Sequence, residues 1–235
     1  MIQISKRLSA AAALVSKGNR LADIGCDHGY LPIYLVQQSQ IPRAIAMDIR
    51  PGPLSRAREH IRAYGLLDYI ECRLSDGLEA LCPGEAETIV IAGMGGPLME
   101  KILVKGAGQL AGVKELIVQP QSDVEQFRKF LQEIPFTVDS EDMVEENGKY
   151  YPVMHLVCGK TKECWEKAQF RYGKYLLRDR HPVLQKYLCR ERNRLEKLEQ
   201  ELSEVNSSRA RIRLELVYEE KKCLEEAWET YGFGM

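Results

Sequence analysis

A chain of 235 residues, 45% hydrophobic and 29% charged with a net charge of −1, can hold one well-buried core and an appendage, and its near-neutral balance by itself points to no partner. Its longest apolar runs are far short of a membrane span, and residues 1–17 read as an amphipathic helix, not a cleavable signal. Seven cysteines without a Cys-x-x-Cys pair and four scattered histidines argue against a disulfide framework and a metal site, so the expected location is the cytoplasm.

In chain order, a first helix is expected over Ser5–Lys17, with Leu8, Ala11, Ala12 and Val15 on one side and Arg7 facing solvent or a ligand mouth. Strand one, Arg20–Ile24, opens into a turn carrying Asp23, Gly25, Asp27, His28 and Gly29, and an apolar helix then runs to about Gln38. The glycines let a ligand approach the backbone, and the helix start offers unpaired N–H groups. A dinucleotide loop would leave a pyrophosphate on that helix; two carboxylates beside it would repel it by roughly 4 kcal/mol per close pair at intermediate screening. Asp23 and Asp27 suit a cation instead, and S-adenosylmethionine carries an ammonium and a sulfonium. The same stretch also fits an ordinary strand-to-helix turn with a capping Asp.

Strand two, Ala44–Met47, ends in Asp48, twenty-five residues after Asp23, where an acid can hold both ribose hydroxyls or cap the helix expected over Pro51–Tyr64. Strand three, Tyr69–Leu74, leads to Asp76-Gly77, a turn signal whose acid can accept from an adenine amino group. Strand four, Thr88–Ala92, is a fully apolar run of the kind buried on both faces of a parallel sheet. It stops at Gly93-Met94-Gly95-Gly96, either a tight turn or a backbone-rich rim where a substrate can come close to the cofactor. No Asn/Asp-Pro-Pro-aromatic sequence stands there, which argues against simple methylation of an exocyclic amine. Strand five, Glu115–Val118, runs into Gln119-Pro120-Gln121, whose amides suit a base edge or a cap for the helix Val124–Glu133. Phe136–Val144 and Tyr151–Val157 are two further strands joined through Asn147-Gly148, a hairpin signal. Five strand–helix units and a final hairpin make a seven-stranded, mostly parallel sheet, the Rossmann-like shape associated with class I methyltransferases. It is expected to occupy residues 1–159.

Residues 160–235 change to long helical periodicity. Leu188, Leu195, Leu198, Leu202 and Val205 form an a/d seam; Asn206-Ser207-Ser208 breaks it; Ala210, Leu214, Val217, Lys221, Leu224 and Trp228 resume it, as in an antiparallel coiled-coil hairpin. Positive charge collects at residues 1–20, with four basic and no acidic side chains, and at 160–194, with eleven basic and four acidic. Such segregation suits a polyanion or a solvated face laced with salt bridges. Arg171, Lys174 and Arg178, then Arg190 and Arg194, are expected to share a face along a phosphate backbone.

Taken together, Asp-Ile-Gly-Cys-Asp-His-Gly-Tyr-Leu-Pro at 23–32, Gly-Pro-Leu at 52–54, Asp-Gly-Leu at 76–78, Gly-Met-Gly-Gly at 93–96, Gln-Pro-Gln at 119–121 and the helical tail resemble the bacterial tRNA (adenine(22)-N(1))-methyltransferases over essentially the whole length. The resemblance implies S-adenosyl-L-methionine as donor and N1 of an adenine in the tRNA D-arm as acceptor. It implies cofactor contacts at Asp23, Gly25, Asp27, His28, Gly29, Asp48, Ile49, Asp76, Gly77 and Gly93. Asp27, Gly93 and Met94 are the expected catalytic positions, the carbonyls of the last two facing the adenine amino group. Arg7, Gly95, Gln119, Gln121 and the five basic residues of the tail are expected to meet RNA. Two other readings keep the pocket: a small-molecule or protein methyltransferase with a dimerising tail, and a non-catalytic S-adenosylmethionine-binding protein.

Overall fold

The computed structural model describes residues 1–159 and 163–233, and the chain divides into two compact units, Met1–Glu163 and Cys164–Met235. The expected boundary between 159 and 160 abuts residues 160–162, which lie outside the described residues.

In the first unit the order is α1 (Lys6–Leu14), β1 (Leu21–Ile24), α2 (Tyr30–Gln37), β2 (Ala44–Asp48), α3 (Pro51–Ala63), β3 (Ile70–Leu74), β4 (Thr88–Met94), α4 (Gly96–Lys105), β5 (Glu115–Pro120), α5 (Val124–Leu131), β6 (Phe136–Glu146) and β7 (Lys149–Cys158). The seven strands form one sheet in the order β3–β2–β1–β4–β5–β7–β6. The first five are parallel; β7 runs antiparallel between β5 and β6. Ile89, Val90, Ile91 and Leu116, Ile117, Val118 are wholly buried, as strands covered by helices on both faces require. Asp23 is the buried exception within β1. Strand order reverses between β1 and β4, and in such sheets ligands bind at the carboxyl ends of the strands at that point.

Three of the element ends that depart from the sequence expectation have a visible cause or consequence. Helix α1 stops at Leu14 and not Lys17, because the Ser16 backbone N–H and hydroxyl both donate to Glu115 at the start of β5. Strand β4 continues through Gly93 to Met94 by a bulge that only a residue comfortable at φ +82° takes easily. Strand β5 reaches Pro120, which draws Gln119 into the sheet.

Two buried polar groups knit this unit. Glu115 accepts from Ser16, Asn19 and Thr88, and lies 3.0 Å from His155 Nε2 on β7, whose other nitrogen is 3.3 Å from Asp139. Arg128 of α5 meets Glu141 of β6 at 2.9 Å, both side chains fully buried.

The second unit holds α6 (Lys167–Tyr172), α7 (Lys174–Arg178), α8 (Pro182–Ser203) and α9 (Ser208–Thr230). The Ser207 hydroxyl caps α9 by accepting from the Ala210 N–H, so the polar break works as the turn of a helical hairpin. Leu188 and Leu195 of α8 and Val217, Leu224 and Trp228 of α9 are buried, while Glu199–Lys221 at 2.6 Å and Glu220–Arg194 at 3.2 Å cross between the two helices. Val205 does not continue the seam: it follows the end of α8 and is exposed.

Candidate active site

A cavity of about 810 Å³ opens at the carboxyl ends of β1, β2 and β4, lined by the β1–α2 loop, Asp48 to Arg50, Ser75 to Gly77, Ala92 to Met94, Leu98 and Ile102. That volume lies in the range of about 300–1,000 Å³ typical of small-molecule sites. The structure brings to it all ten residues expected to hold a cofactor except Gly29, which starts the helix just behind the wall.

The loop's conformation explains the acids. Gly25 and Gly29 sit at φ +74° and +69°, and Asp27 between them at +47°, a region that Asp tolerates better than most residues. Gly29, not an acid, occupies the N-cap of α2, and no side chain caps it. Asp27 is thereby free of capping duty and half exposed, 3.4 Å from His28 Nε2 and 3.8 Å from Arg56. A Cβ on Gly25 would meet the end of the Met94 side chain, so the glycine keeps this floor of the cavity open to a flexible thioether. Asp48 likewise does not cap α3, where Arg50 holds the N-cap position; its carboxylate accepts from the Arg50 N–H at 2.8 Å.

Asp23 and Asp48 are both buried. Burial, and then the charge of Asp48, push the Asp23 carboxyl up to about 7. Burial and then Asp23 also raise the Cys26 thiol, which leaves it an inert wall. A buried acidic pair beside a glycine floor fits the ammonium of S-adenosylmethionine. Ile49, Leu98 and Ile102 add an apolar slot, with Ile49 and Leu98 largely exposed in the protein alone. At its edge Asp76 is paired with Lys105 at 3.0 Å, and the Ser75 hydroxyl ties the turn by donating to the Gly77 carbonyl.

On the opposite rim stands Arg7 of α1, which also lines the cavity. Its guanidinium donates to the Gln119 side chain at 3.0 Å and lies 5.9 Å from the centre of the Tyr151 ring. It fits there because position 93 has no side chain: a Cβ would come within 3.0 Å of its Nη1.

Several expected substrate residues are placed differently. Gln119 is wholly buried and presents its amide to Arg7 and the Pro120 carbonyl, so it cannot meet a base edge; Gln121 is exposed. Gly95 is packed against Ser122, where a Cβ would come within 2.8 Å of the hydroxyl, and does not line the cavity. The Met94 carbonyl already accepts from the Gln121 N–H at 2.8 Å. In the second unit, Arg171, Lys174 and Arg178 do not share one helix, because Gly173 at φ +100° separates α6 from α7. Arg171 and Arg194 converge on Glu220 at 2.9 and 3.2 Å. Lys174 and Arg178 flank the Tyr175 ring at 5.3 and 4.7 Å, and Arg178 and Arg190 are exposed.

Sequence reasoning missed the N-terminal wall, Gln3 to Ser5 and Leu8, and the rings Tyr30, His60 and Tyr151. Only Tyr30, adjacent to the loop, carried a local signal. Among the described residues no group of three or more His, Cys, Asp or Glu is placed to hold a metal, and no helix is long and apolar enough to cross a membrane.

The family model for tRNA (adenine(22)-N(1))-methyltransferase matches residues 21–222. The tRNA (adenine(22)-N(1))-methyltransferase of Bacillus subtilis (strain 168) is 33% identical over 207 residues, 86% of this chain and 87% of its own length. The structure of Streptococcus pneumoniae Sp1610 in complex with S-adenosyl-L-methionine is similar at a TM-score of 0.84 and 35% identity, covering 96% of this chain and 99% of that one. That of M. capricolum TrmK with S-adenosyl-homocysteine is similar at 0.81 and 25% identity, covering 96% and 97%.

Proposed function

The chain belongs to the tRNA (adenine(22)-N(1))-methyltransferase family, and from that premise we propose how its residues divide the work. The enzyme is S-adenosylmethionine-dependent and acts on N1 of adenine 22 in tRNA. The observation that carries the assignment of its parts is the buried Asp23–Asp48 pair beside the Gly25 floor, at the switch point of the sheet.

Bound there, the cofactor supplies an electrophilic methyl group on a cationic sulfur. Asp23, with the backbone of Gly25 and His28, is assigned to its amino-acid end, Asp48 and Ile49 to the ribose, and Asp76 and Gly77 to the adenine edge. Adenine N1 brings its own in-plane lone pair, so the protein has to align two reactants more than to remove a proton. Methyl transfer leaves the base cationic, and acceptors aimed at that charge lower the barrier. The Gly93 carbonyl and the Asp27 carboxylate are the assigned acceptors, with Met94 shaping the floor. Arg7 is assigned to a backbone phosphate of the target nucleotide: Gln119 and Tyr151 hold its guanidinium in place, and five N–H donors suit a phosphate.

The first unit is thus assigned to cofactor and chemistry. The second, where Arg and Lys side chains lie over Tyr175, Trp165 and Trp228, is assigned to gripping tRNA. A tRNA substrate makes the cytoplasm the proposed place of work.

The test is transfer of labelled methyl from S-adenosylmethionine to tRNA from cells lacking this protein, followed by nucleoside mass spectrometry. The expected product is 1-methyladenosine; cofactor binding without labelled tRNA would overturn the reading.

A further inference from the structure

Tyr30 opens α2 stacked against two histidines, His28 from the preceding loop and His60 from the last turn of α3. The ring centres lie 5.2 Å apart for His28–Tyr30, 5.1 Å for Tyr30–His60 and 5.6 Å for His28–His60, with planes inclined by only 14°, 21° and 28°. Nearly equal spacings describe a triangle of near-parallel, offset-stacked rings, a compact block and not a column. His60 backs this block, its Nδ1 3.0 Å from the His28 carbonyl oxygen, while His28 and Tyr30 line the cavity. The contact depends on Gly29: a Cβ there would press to 3.2 Å from Ala57, and α3 would be held off the loop. His28 Nδ1 is shielded and has no hydrogen-bond partner among the described residues, as expected of a ring kept for its face. Beside the rings stands the half-exposed Asp27 carboxylate.

We propose that this aromatic block is the platform on which the target adenine stacks, with Asp27 accepting from the N6 amino group; the inference rests on the methyl-transfer reading above. In the reaction a bond forms between N1 and the methyl carbon, the bond from that carbon to sulfur breaks, its electron pair stays on sulfur, and the positive charge passes to the base. The substrate arrives neutral and leaves as a cation. Ring faces and a carboxylate both hold the cation more tightly than the neutral base, so their contribution grows toward the transition state. An apolar slot would bind both states alike. The amino group has two N–H donors, so Asp27 and the Gly93 carbonyl do not compete for it.

The test uses the full-length protein, S-adenosylhomocysteine in place of the donor, and tRNA with 2-aminopurine at position 22, whose emission is quenched on an aromatic face. Tyr30→Leu is expected to brighten the bound complex and to lower kcat on natural tRNA about tenfold or more, leaving S-adenosylhomocysteine affinity unchanged. Tyr30→Phe is expected to match the wild type. Since Tyr30 also packs on the core, Asp27→Asn at an exposed position gives a separate arm. It should slow methylation of adenine-22 tRNA by more than that of tRNA carrying unsubstituted purine there, which becomes cationic too but lacks the amino group. Equal emission from wild type and Tyr30→Leu, loss of S-adenosylhomocysteine affinity in Tyr30→Leu, or an equal Asp27→Asn penalty on both tRNAs would each overturn the proposal. Absence of any tRNA methylation by the wild type would instead overturn the underlying reading, and this inference with it.

Discussion

In the proposed assignment, one side chain, Asp23, couples fold stability to cofactor affinity. Its folded value of about 7 stands above the ordinary 3.8, so the ligand-free fold keeps a proton that the unfolded chain releases between those values. Stability of the ligand-free protein therefore falls as pH rises across that window. A cationic ligand favours the ionised carboxylate, and the sign for binding is the reverse: affinity should rise with pH toward 7. The expected gain is up to about tenfold between about pH 6 and about pH 7, measured by calorimetric titration with S-adenosylhomocysteine. Asp23→Asn should bind weakly at both values and lose the pH dependence. Asp23 was legible as a candidate site residue because two acids stand beside glycines where the first strand opens into its turn. Its raised pKa was not, since that depends first on how completely the fold buries it and then on Asp48 from a neighbouring strand.

Between elements, the polar pairs that join helices to sheet decide more than propensity does. Arg128 and Glu141 are buried together, so removing one leaves the other as an uncompensated charge. Arg128→Ala is expected to cost about 3–5 kcal/mol, read as a lower urea midpoint. Burial opposes ionisation of Glu115, but hydrogen bonds from His155, Ser16 and Thr88 outweigh it and bring its carboxyl down to about 2. The hydrogen bond to Glu115 raises His155 in turn, against burial. The His155 contribution is fully present below its ordinary 6.5 and is lost as pH rises through its higher folded value; that of Glu115 is present above 4.5 and is lost as pH falls toward about 2. The urea midpoint should thus be highest between those limits, and His155→Leu should flatten the alkaline arm. Helix α1 was readable from its apolar spacing, but its early end was not, because Ser16 answers to a glutamate 99 residues away.

For the whole molecule, the net charge of −1 conceals a basic stretch over residues 160–194, and RNA binding should reveal it through salt. Counterion release makes the logarithm of affinity fall linearly with that of salt concentration, by about 0.7–0.9 per phosphate neutralised. Replacing exposed Arg178 and Arg190 by Gln should weaken tRNA binding at low salt and reduce the slope by about one for each phosphate left without its cation. An unchanged slope in a binding assay over a salt series would show that neither residue meets a phosphate. Arg171 and Arg194, whose guanidinium groups meet on Glu220, should matter more to the stability of the helical unit than to that slope.

The sequence by itself determined the seven strands and the longer helices, though not that β3 passes to β4 without a helix or that α6 and α7 precede the helical hairpin, and it determined the acids and glycines at strand ends and the hairpin at Asn147-Gly148. These rest on local chemistry: side-chain period, backbone freedom at glycine, and residue types that stand out from their neighbours. Only the tertiary structure decided that β7 inserts beside β5, that Gln119 is buried as a support for Arg7, that Gly173 breaks the basic face, and that His60 completes a stack with Tyr30. Each of those depends on which distant residue a group meets once the core has closed, and the spacing along a single chain carries no measure of that.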